Sequence, residues 1–366
     1  MKKWIIFGSI VLIMIIAVVF YFNFKNSEPL MSDLEECKTF SYNGENAINI
    51  LFFSNKKTVE EYSKFFLESS PFKDYQDSFN FFYIDTYKPE CEIYKDIAIL
   101  CNSEEIIKKS SSCPNDYVIV IKTKDKGIRS SAYMNIMSLN SNHPKTVLLH
   151  EFGHAFASLA DEYVPSTLPK NSKNCVTDCS EFKTETNGCF LGCSKLNYFR
   201  SIEYGVMGTL KFPDYGIFNE KIILENINKI QKAQITGKAI ENSIDCSKEK
   251  YYLIQGIYEN NNITEITKKT LESGCVGTNG NGEFKFNLIS KDNKIIKTEE
   301  FNPEFIFTDA QGEEQINGEV LENKGDFYLK IPVIEELKSI EIKKENKKII
   351  EINMIGFGSK SRPCKK

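Results

Sequence analysis

The chain has 366 residues, of which 41% are hydrophobic and 26% are charged, a composition typical of a globular protein. This length is more than one ordinary domain needs, so we expect two. With 46 Lys and Arg against 50 Asp and Glu, the formal net charge is -4, which gives no reason to expect a nucleic-acid-binding surface.

The N-terminus indicates where the protein resides. Lys2 and Lys3 precede an uncharged, apolar run from Trp4 to Phe22, and a helix of that length rises roughly 28 Å, close to the hydrocarbon thickness of a bilayer. The alternative is a cleaved secretory signal peptide, but the run ends without a small-residue cleavage site. We therefore predict a single-pass transmembrane signal anchor over residues 1–24, with a cytoplasmic N-terminus and an extracellular body in the cell membrane.

After a polar segment over residues 25–44, predicted to be a stalk, residues 45–245 alternate between strand and helix patterns. The predicted strands are AINILFF (47–53), SFNFFYID (78–85), DIAIL (96–100), YVIVIKT (117–123) and SAYMNIMSL (131–139). Helical spacing of apolar residues occurs in TVEEYSKFFLES (58–69) and NEKIILENINKIQKAQ (219–234). This alternation predicts an α/β or α+β domain.

The pattern changes over residues 246–366, where short strand-like segments are separated by Gly, Asn and Asp turns. The segments are YYLIQGIYE (251–259), EFKFNLIS (283–290), EFIFTDA (304–310), DFYLKIP (326–332) and KSIEIKK (338–344). Several short strands with turn signals between them predict an all-β, sandwich-like domain.

All eleven cysteines follow the predicted anchor, which agrees with an oxidising exterior and several disulfides. Two C-x-x-x-C pairs lie in CVTDCSEFKTETNGCFLGC and consist of Cys175, Cys179, Cys189 and Cys193. Thiolates at this spacing can bind a structural zinc ion, but the extracellular location favours two disulfides that staple a loop. Four cysteines allow three pairings, and all three stay open at this point.

The stretch HEFGHAFASLADEY (150–163) contains the most informative residues. His150 and His154 are four residues apart and project from one face of a helix, where they can bind a single zinc ion. Glu151 beside them can accept a proton from a metal-activated water. The chain has only three histidines, and a buried histidine needs a polar partner, so two on one helix face favour a metal site over ordinary core residues.

A catalytic zinc ion needs a third protein ligand. His143 lies in a predicted surface loop, so a carboxylate is favoured. Asp161 falls near the histidine face by helical angle, whereas Glu162 falls off it and is the alternative ligand. On a continuous helix Asp161 would lie roughly 10 Å along the axis from His154. It reaches the metal only if the helix ends between residues 157 and 160 and the chain turns back.

The motif resembles the signature of the immunoglobulin-A peptidase family of metzincin-like zinc endopeptidases. Two further segments extend the resemblance over roughly residues 45 to 210. SSPFKDYQDSFNFFYID (69–85) resembles the family's strand-entry segment, and YFRSIEYGVMG (198–208) resembles the stretch that carries its methionine turn. The C-terminal domain lies outside the resemblance.

The resemblance implies a metzincin-like catalytic domain that binds one Zn²⁺ per chain and acts on a protein or peptide substrate. It implies three zinc ligands, namely His150, His154 and Asp161. It also implies that Glu151 is the general base and that Met207 forms a hydrophobic floor under the metal. The glycine at which the family's helix turns is Ala157 in this chain.

These features together predict a membrane-anchored, outward-facing zinc metalloendopeptidase. Resemblance to a family does not transfer specificity for immunoglobulin A. One alternative is a weakly active or inactive peptidase-like surface protein that uses its β-sandwich domain for adhesion. Another is a zinc hydrolase that acts on a non-peptide amide, such as a cell-wall cross-link. The intact motif with Asp161 argues against an inactive enzyme.

Overall fold

In the computed structural model of the chain, the fold is a mixed α/β arrangement with several sheets and few helices. The residues that it describes are 34–183, 187–235, 245–303, 305–308 and 324–357. The anchor predicted over residues 1–24 lies outside them. Among the residues that are described, no helix has both the length and the apolar character needed to cross a membrane.

A seven-stranded sheet forms the centre of the N-terminal half. In spatial order its strands are β1 (Lys38–Ser41), β3 (Phe79–Ile84), β2 (Ile48–Phe53), β6 (Tyr117–Lys122), β8 (Ile136–Asn140), β7 (Ser130–Tyr133) and β15 (Phe305–Thr308). The strands β3, β2, β6 and β8 are parallel, whereas β1, β7 and β15 run antiparallel to their neighbours. The parallel strands are almost wholly buried, which explains why their sequences read as continuous apolar runs.

Two predicted elements differ from the structure in this sheet. The single strand predicted over 131–139 is two antiparallel strands, β7 and β8, because the chain reverses at Met134, whose φ is 52°. The segment predicted as a sandwich strand at 304–310 instead contributes β15, which pairs with β7. A left-handed residue that is not glycine leaves little trace in a sequence, and neither does a pairing between distant segments.

The segment predicted as a stalk is also corrected in part. Its residues 38–41 form β1, which pairs with β3, and Cys37 forms a disulfide with Cys113. This end of the segment therefore belongs to the folded body. The prediction failed because a four-residue edge strand held by a distant disulfide has no strong local pattern.

Three of the four described α-helices cover one face of the sheet, and the short second helix packs with the cluster on the other face. The four described α-helices are α1 (Lys56–Glu68), α2 (Glu104–Ser110), α3 (Thr146–Ala157) and α4 (Ile217–Ile235). Buried residues of α1, α3 and α4 join the side chains of β2 and β3 in one hydrophobic cluster. Within it the rings of Phe66 and Phe72 stack at 4.1 Å, and Phe152 of α3 lies edge-on to Phe66 at 5.0 Å. These aromatic contacts fix α3 against the rest of the cluster.

The C-terminal region forms two sheets that share a core. The first contains β12 (Asn262–Ser273), β11 (Lys250–Glu259) and β16 (Lys324–Pro332), and the second contains β14 (Ile295–Phe301), β13 (Phe284–Ser290), β17 (Leu337–Lys344) and β18 (Lys347–Asn353). Phe286 and Leu329, from different sheets, are fully buried in this core. Among the residues described in this region, the predicted strands agree with the structure, except that β15 joins the large sheet and not these two. Tyr251 and Leu253 of β11 pack with the second face of the large sheet.

Two short hairpins and five disulfides complete the described part. The hairpins pair β4 (Glu92–Tyr94) with β5 (Ala98–Leu100), and β9 (Phe190–Cys193) with β10 (Lys195–Arg200). The disulfides are Cys37–Cys113, Cys91–Cys101, Cys175–Cys193, Cys179–Cys189 and Cys246–Cys275. The predicted use of disulfides is confirmed, and the four loop cysteines adopt the nested pairing. Cys364 lies outside the described residues.

Candidate metal centre

The helix α3 carries the motif and is buried on all sides. Each of its residues, including His150, Glu151 and His154, is classed as buried. It packs against β7 and β8 of the sheet and against α4. Buried polar groups need hydrogen-bonding or ionic partners, so the side chains of His150, Glu151 and His154 must find theirs inside the fold.

The helix ends where the sequence required it to end. Its last residue is Ala157, and Ser158 adopts a left-handed conformation with φ 51° and ψ 34°. The Ser158 N–H donates to His154 O at 3.1 Å, and the Leu159 N–H donates to Gly153 O at 3.1 Å, which closes the turn. The chain therefore reverses directly after α3 and brings Asp161 back to the histidines.

Three potential ligand atoms converge at this point. His150 Nε2 lies 2.9 Å from His154 Nε2 and 3.1 Å from Asp161 Oδ1, and His154 Nε2 lies 3.2 Å from the same oxygen. A tetrahedral Zn²⁺ with bonds of about 2.0–2.1 Å separates its ligand atoms by roughly 3.3 Å. The three atoms are therefore spaced like three corners of a zinc coordination tetrahedron.

The outer partners of the two imidazoles fix which nitrogen faces the site. His150 Nδ1 lies 2.8 Å from Val206 O, and His154 Nδ1 lies 2.6 Å from Leu159 O. A carbonyl oxygen only accepts, so each Nδ1 carries a hydrogen, and Nε2 is the ring nitrogen that can bind a metal. Two Nε2 atoms and a carboxylate oxygen thus face one another, an arrangement that a bound cation would stabilise.

Asp161 is held on both of its carboxylate oxygens. Oδ1 faces the histidines, while Oδ2 accepts a hydrogen bond of 2.6 Å from Ser166 Oγ. Burial raises the pKa of Asp161, but attraction and hydrogen bonds from His154 and His150 outweigh burial and hold the pKa well below its usual range. The carboxylate is therefore ionised, as a metal ligand must be.

Glu162, the alternative ligand, points elsewhere. Its Oε1 accepts hydrogen bonds from Asn219 Nδ2 at 2.8 Å and from Asn174 Nδ2 at 3.2 Å. Burial raises the pKa of Glu162 to about 7, because the two amides offset only part of the loss of hydration. Within the described part of the chain, the potential ligands that converge are His150, His154 and Asp161.

A tight turn containing Met207 lies against the helix. The Gly208 N–H donates to Gly205 O at 2.9 Å, and Met207 O accepts from the Glu162 N–H at 2.8 Å. A Cβ atom built on Gly153 would lie only 2.7 Å from the Met207 sulfur, so the sulfur packs directly on the helix beside Gly153. Met207 is fully buried, and its role as a floor beneath the metal stays a prediction.

We expect Gly153→Ala to destabilise the fold by about 1–3 kcal/mol, because the added methyl overlaps the Met207 sulfur in a packed core. Urea unfolding of the two proteins measures the difference. Gly325→Ala is the matched control, since a Cβ at that position meets nothing within 4 Å. Equal losses in the two variants would show that Met207 does not constrain α3.

His143 is not where the sequence placed it. The surface-loop prediction is wrong, because His143 is buried at 7% exposure. Its Nδ1 lies 3.2 Å from Ser130 Oγ and its Nε2 lies 3.1 Å from Lys126 O. The ring therefore ties β7 to the preceding loop and is not part of the converging group. The proline and polar residues around His143 correctly indicate a loop, but they do not show that the histidine side chain is buried within it.

A small cavity adjoins His154. It has a volume of about 20 Å³ and is lined by Ala132, Met134, Ala155, Ser158, Pro169, Asn281 and Asn302. A cavity of this volume holds roughly one water molecule. One of the two converging histidines therefore borders a space of that size.

Three residues that support the site had no signal in the sequence. Ser166, Asn174 and Ser194 all form hydrogen bonds with the segment from Ala160 to Glu162. Single serines and asparagines are common in loops, so only the folded structure reveals their partners.

In the comparisons with known proteins, no protein-family model matches the chain and no curated protein has significant similarity to it.

Proposed function

We propose that the protein is a zinc metalloendopeptidase with a metzincin-like catalytic domain. The observation that carries the proposal is the convergence of two histidine Nε2 atoms and one Asp161 oxygen at 2.9–3.2 Å, with both rings held by backbone carbonyls. The buried Glu151, the chain reversal after α3 and the Met207 turn support the same reading.

The donor set favours zinc. Two neutral imidazoles and one carboxylate are a known catalytic zinc combination with an open fourth position. The same donors also suit Fe²⁺ in oxygenases. Glu151, which adjoins His150 in the chain and is fully buried, favours hydrolysis, because a carboxylate at that place can accept a proton from a metal-bound water.

In the proposed reaction the protein positions water and moves its proton. Zinc, when bound, supplies Lewis acidity that lowers the pKa of water and polarises the scissile carbonyl. Glu151 accepts a proton from the attacking water while the water oxygen forms a bond to the carbonyl carbon. The carbon–nitrogen bond then breaks, and Glu151 returns the proton to the leaving amine. His150 and His154 keep their Nε2 atoms fixed throughout, because their Nδ1 hydrogens stay on backbone carbonyls.

The substrate proposed is a protein or peptide rather than a nucleic acid. Asn281 and Asn302 of the C-terminal half line the small space beside His154 together with residues of α3. The Asn281 amide donates to Phe156 O at 2.9 Å. We therefore propose that the C-terminal region borders the path by which a substrate reaches the site.

The proposed location is the outer face of the cell membrane. Five disulfides among the described residues fit an oxidising exterior. Because the predicted anchor is a transmembrane helix, we expect the protein to stay with membranes during salt and alkaline extraction, with its body open to external protease. A soluble form that begins near residue 25 would instead indicate a cleaved signal peptide.

The proposal is tested by metal analysis together with casein hydrolysis. We expect one zinc ion per chain, and cleavage that a chelator abolishes and added Zn²⁺ restores. An alternative function, adhesion through the β-sandwich, predicts cell-surface binding without cleavage. Bound zinc with no activity on a peptide panel would reject the peptidase and direct attention to non-peptide amides.

A further inference from the structure

We propose that the Cys175–Cys193 disulfide and its two neighbours, Asn174 and Ser194, form a clamp that positions Asp161 for metal binding. The inference rests on the proposed metal site and deepens it, because it makes retention of the metal depend on an oxidised loop. We use "the clamp" for these four residues.

Asn174 fixes the chain on both sides of Asp161. Its Oδ1 accepts from the Ala160 N–H at 2.7 Å, and its Nδ2 donates to Ala160 O at 2.8 Å and to Glu162 Oε1 at 3.2 Å. Asn174 has no exposed surface. The buried Asn174 amide therefore holds the Ala160 backbone, just before Asp161, and the Glu162 side chain, just after it.

Ser194, at the other end of the segment closed by the Cys175–Cys193 disulfide, holds Asp161 in place. Its Oγ donates to Asp161 O at 2.8 Å, and its carbonyl accepts from the Ser166 N–H at 2.8 Å. Ser166 in turn donates through Oγ to Asp161 Oδ2 at 2.6 Å. The Ser194 backbone thus orients the residue that holds the carboxylate.

The disulfide joins these two arms. Asn174 directly precedes Cys175, and Ser194 directly follows Cys193, and the two cysteine Cα atoms lie 5.3 Å apart. Both cysteines are buried and pack with Ala160, two residues before Glu162. The segment between them contains a polar stretch with little apolar material, so without the cross-link the two arms must be ordered at a larger entropic cost.

The same loop contains its own control. Cys179–Cys189 is nested inside Cys175–Cys193, with Cys179 exposed and Cys189 half-buried. None of the hydrogen bonds to Ala160, Asp161 or Glu162 described above comes from a residue adjacent to it. A general stabilising effect predicts that either bond can be lost with similar consequences, whereas the clamp predicts that only the outer bond affects the metal.

The experiment measures the Kd for Zn²⁺ by chelator competition in the purified protein. Cys175→Ser with Cys193→Ser is expected to weaken binding about 10- to 100-fold, as loss of a ligand's supporting partners does, and Cys179→Ser with Cys189→Ser by less than about 3-fold. Thermal unfolding of both variants separates metal affinity from fold stability. Equal Kd values in the outer variant and the wild type, or equal weakening in both variants, would overturn the clamp.

Single substitutions keep the test decisive if the outer disulfide variant does not fold. Asn174→Ala and Ser194→Ala leave both disulfides intact, and each is expected to weaken Zn²⁺ binding by about 10-fold or more. Unchanged affinity in both would reject the clamp. Absence of Zn²⁺ binding by the wild type would reject the metal site itself and the clamp with it, an outcome distinct from wild-type binding that the variants do not change.

Discussion

Replacement of Glu151 by Ala or Gln is expected to slow peptide hydrolysis by about 10²- to 10⁴-fold while zinc stays bound. Glu151 follows the proposed ligand His150 on α3 but contributes none of the converging atoms, which come from His150, His154 and Asp161. Its replacement therefore removes the proposed proton acceptor and leaves the three proposed ligands in place. The Gln variant keeps the size of the side chain and lacks only its basicity.

The measurement is kcat/KM on a fluorogenic peptide together with zinc content and a thermal unfolding midpoint. Zinc content and midpoint close to those of the wild type, with a low rate, support the assigned role. A mass-spectrometric comparison of cleaved peptides between wild type and Glu151→Ala also identifies substrates, since only sites lost in the variant depend on this base. A normal rate in a zinc-loaded Glu151→Ala protein would contradict the mechanism.

The helix α3 was predictable because its information is local. His150 and His154 share a face through helical geometry alone, and the apolar residues around them predict a buried helix. The approach of Asp161 to the two histidines could be predicted only on the condition that the helix ends before Asp161. Glycine usually marks such an end, but here Ser158 adopts the left-handed conformation. The helix does end at Ala157, as the prediction required, but the residue that ends it is Ser158, and a serine does not indicate a left-handed turn.

The parts that the sequence did not reveal depend on distant contacts. The strand β15 pairs with β7 across more than 170 residues, and β1 joins the sheet through its pairing with β3 and the Cys37–Cys113 disulfide. Asn174 reaches Ala160 only after the loop has folded back. Propensity and periodicity describe neighbours in the chain, and these contacts join residues that become neighbours only in the fold.

The choice of Asp161 over Glu162 as third ligand gives the second large expected effect. Both carboxylates are buried and adjacent in the chain, yet Asp161 Oδ1 lies 3.1 and 3.2 Å from the two histidine nitrogens, while Glu162 Oε1 is hydrogen-bonded to Asn219 and Asn174. The two side chains therefore differ in direction rather than in burial. A matched pair of isosteric substitutions can separate them.

Asp161→Asn is expected to weaken Zn²⁺ binding by more than about 100-fold, beyond what loss of a ligand's supporting partner costs, and Glu162→Gln by less than about 10-fold. Asparagine keeps the shape of Asp161 but removes the negative charge that the site presents to a cation. Glutamine resembles the protonated form that Glu162 readily adopts, because burial raises its pKa to about 7, so the fold should tolerate it. Chelator competition gives both Kd values, and circular dichroism checks that each variant is folded. If Glu162→Gln releases the metal and Asp161→Asn retains it, the third ligand is Glu162, and the convergence at Asp161 reflects hydrogen bonding alone.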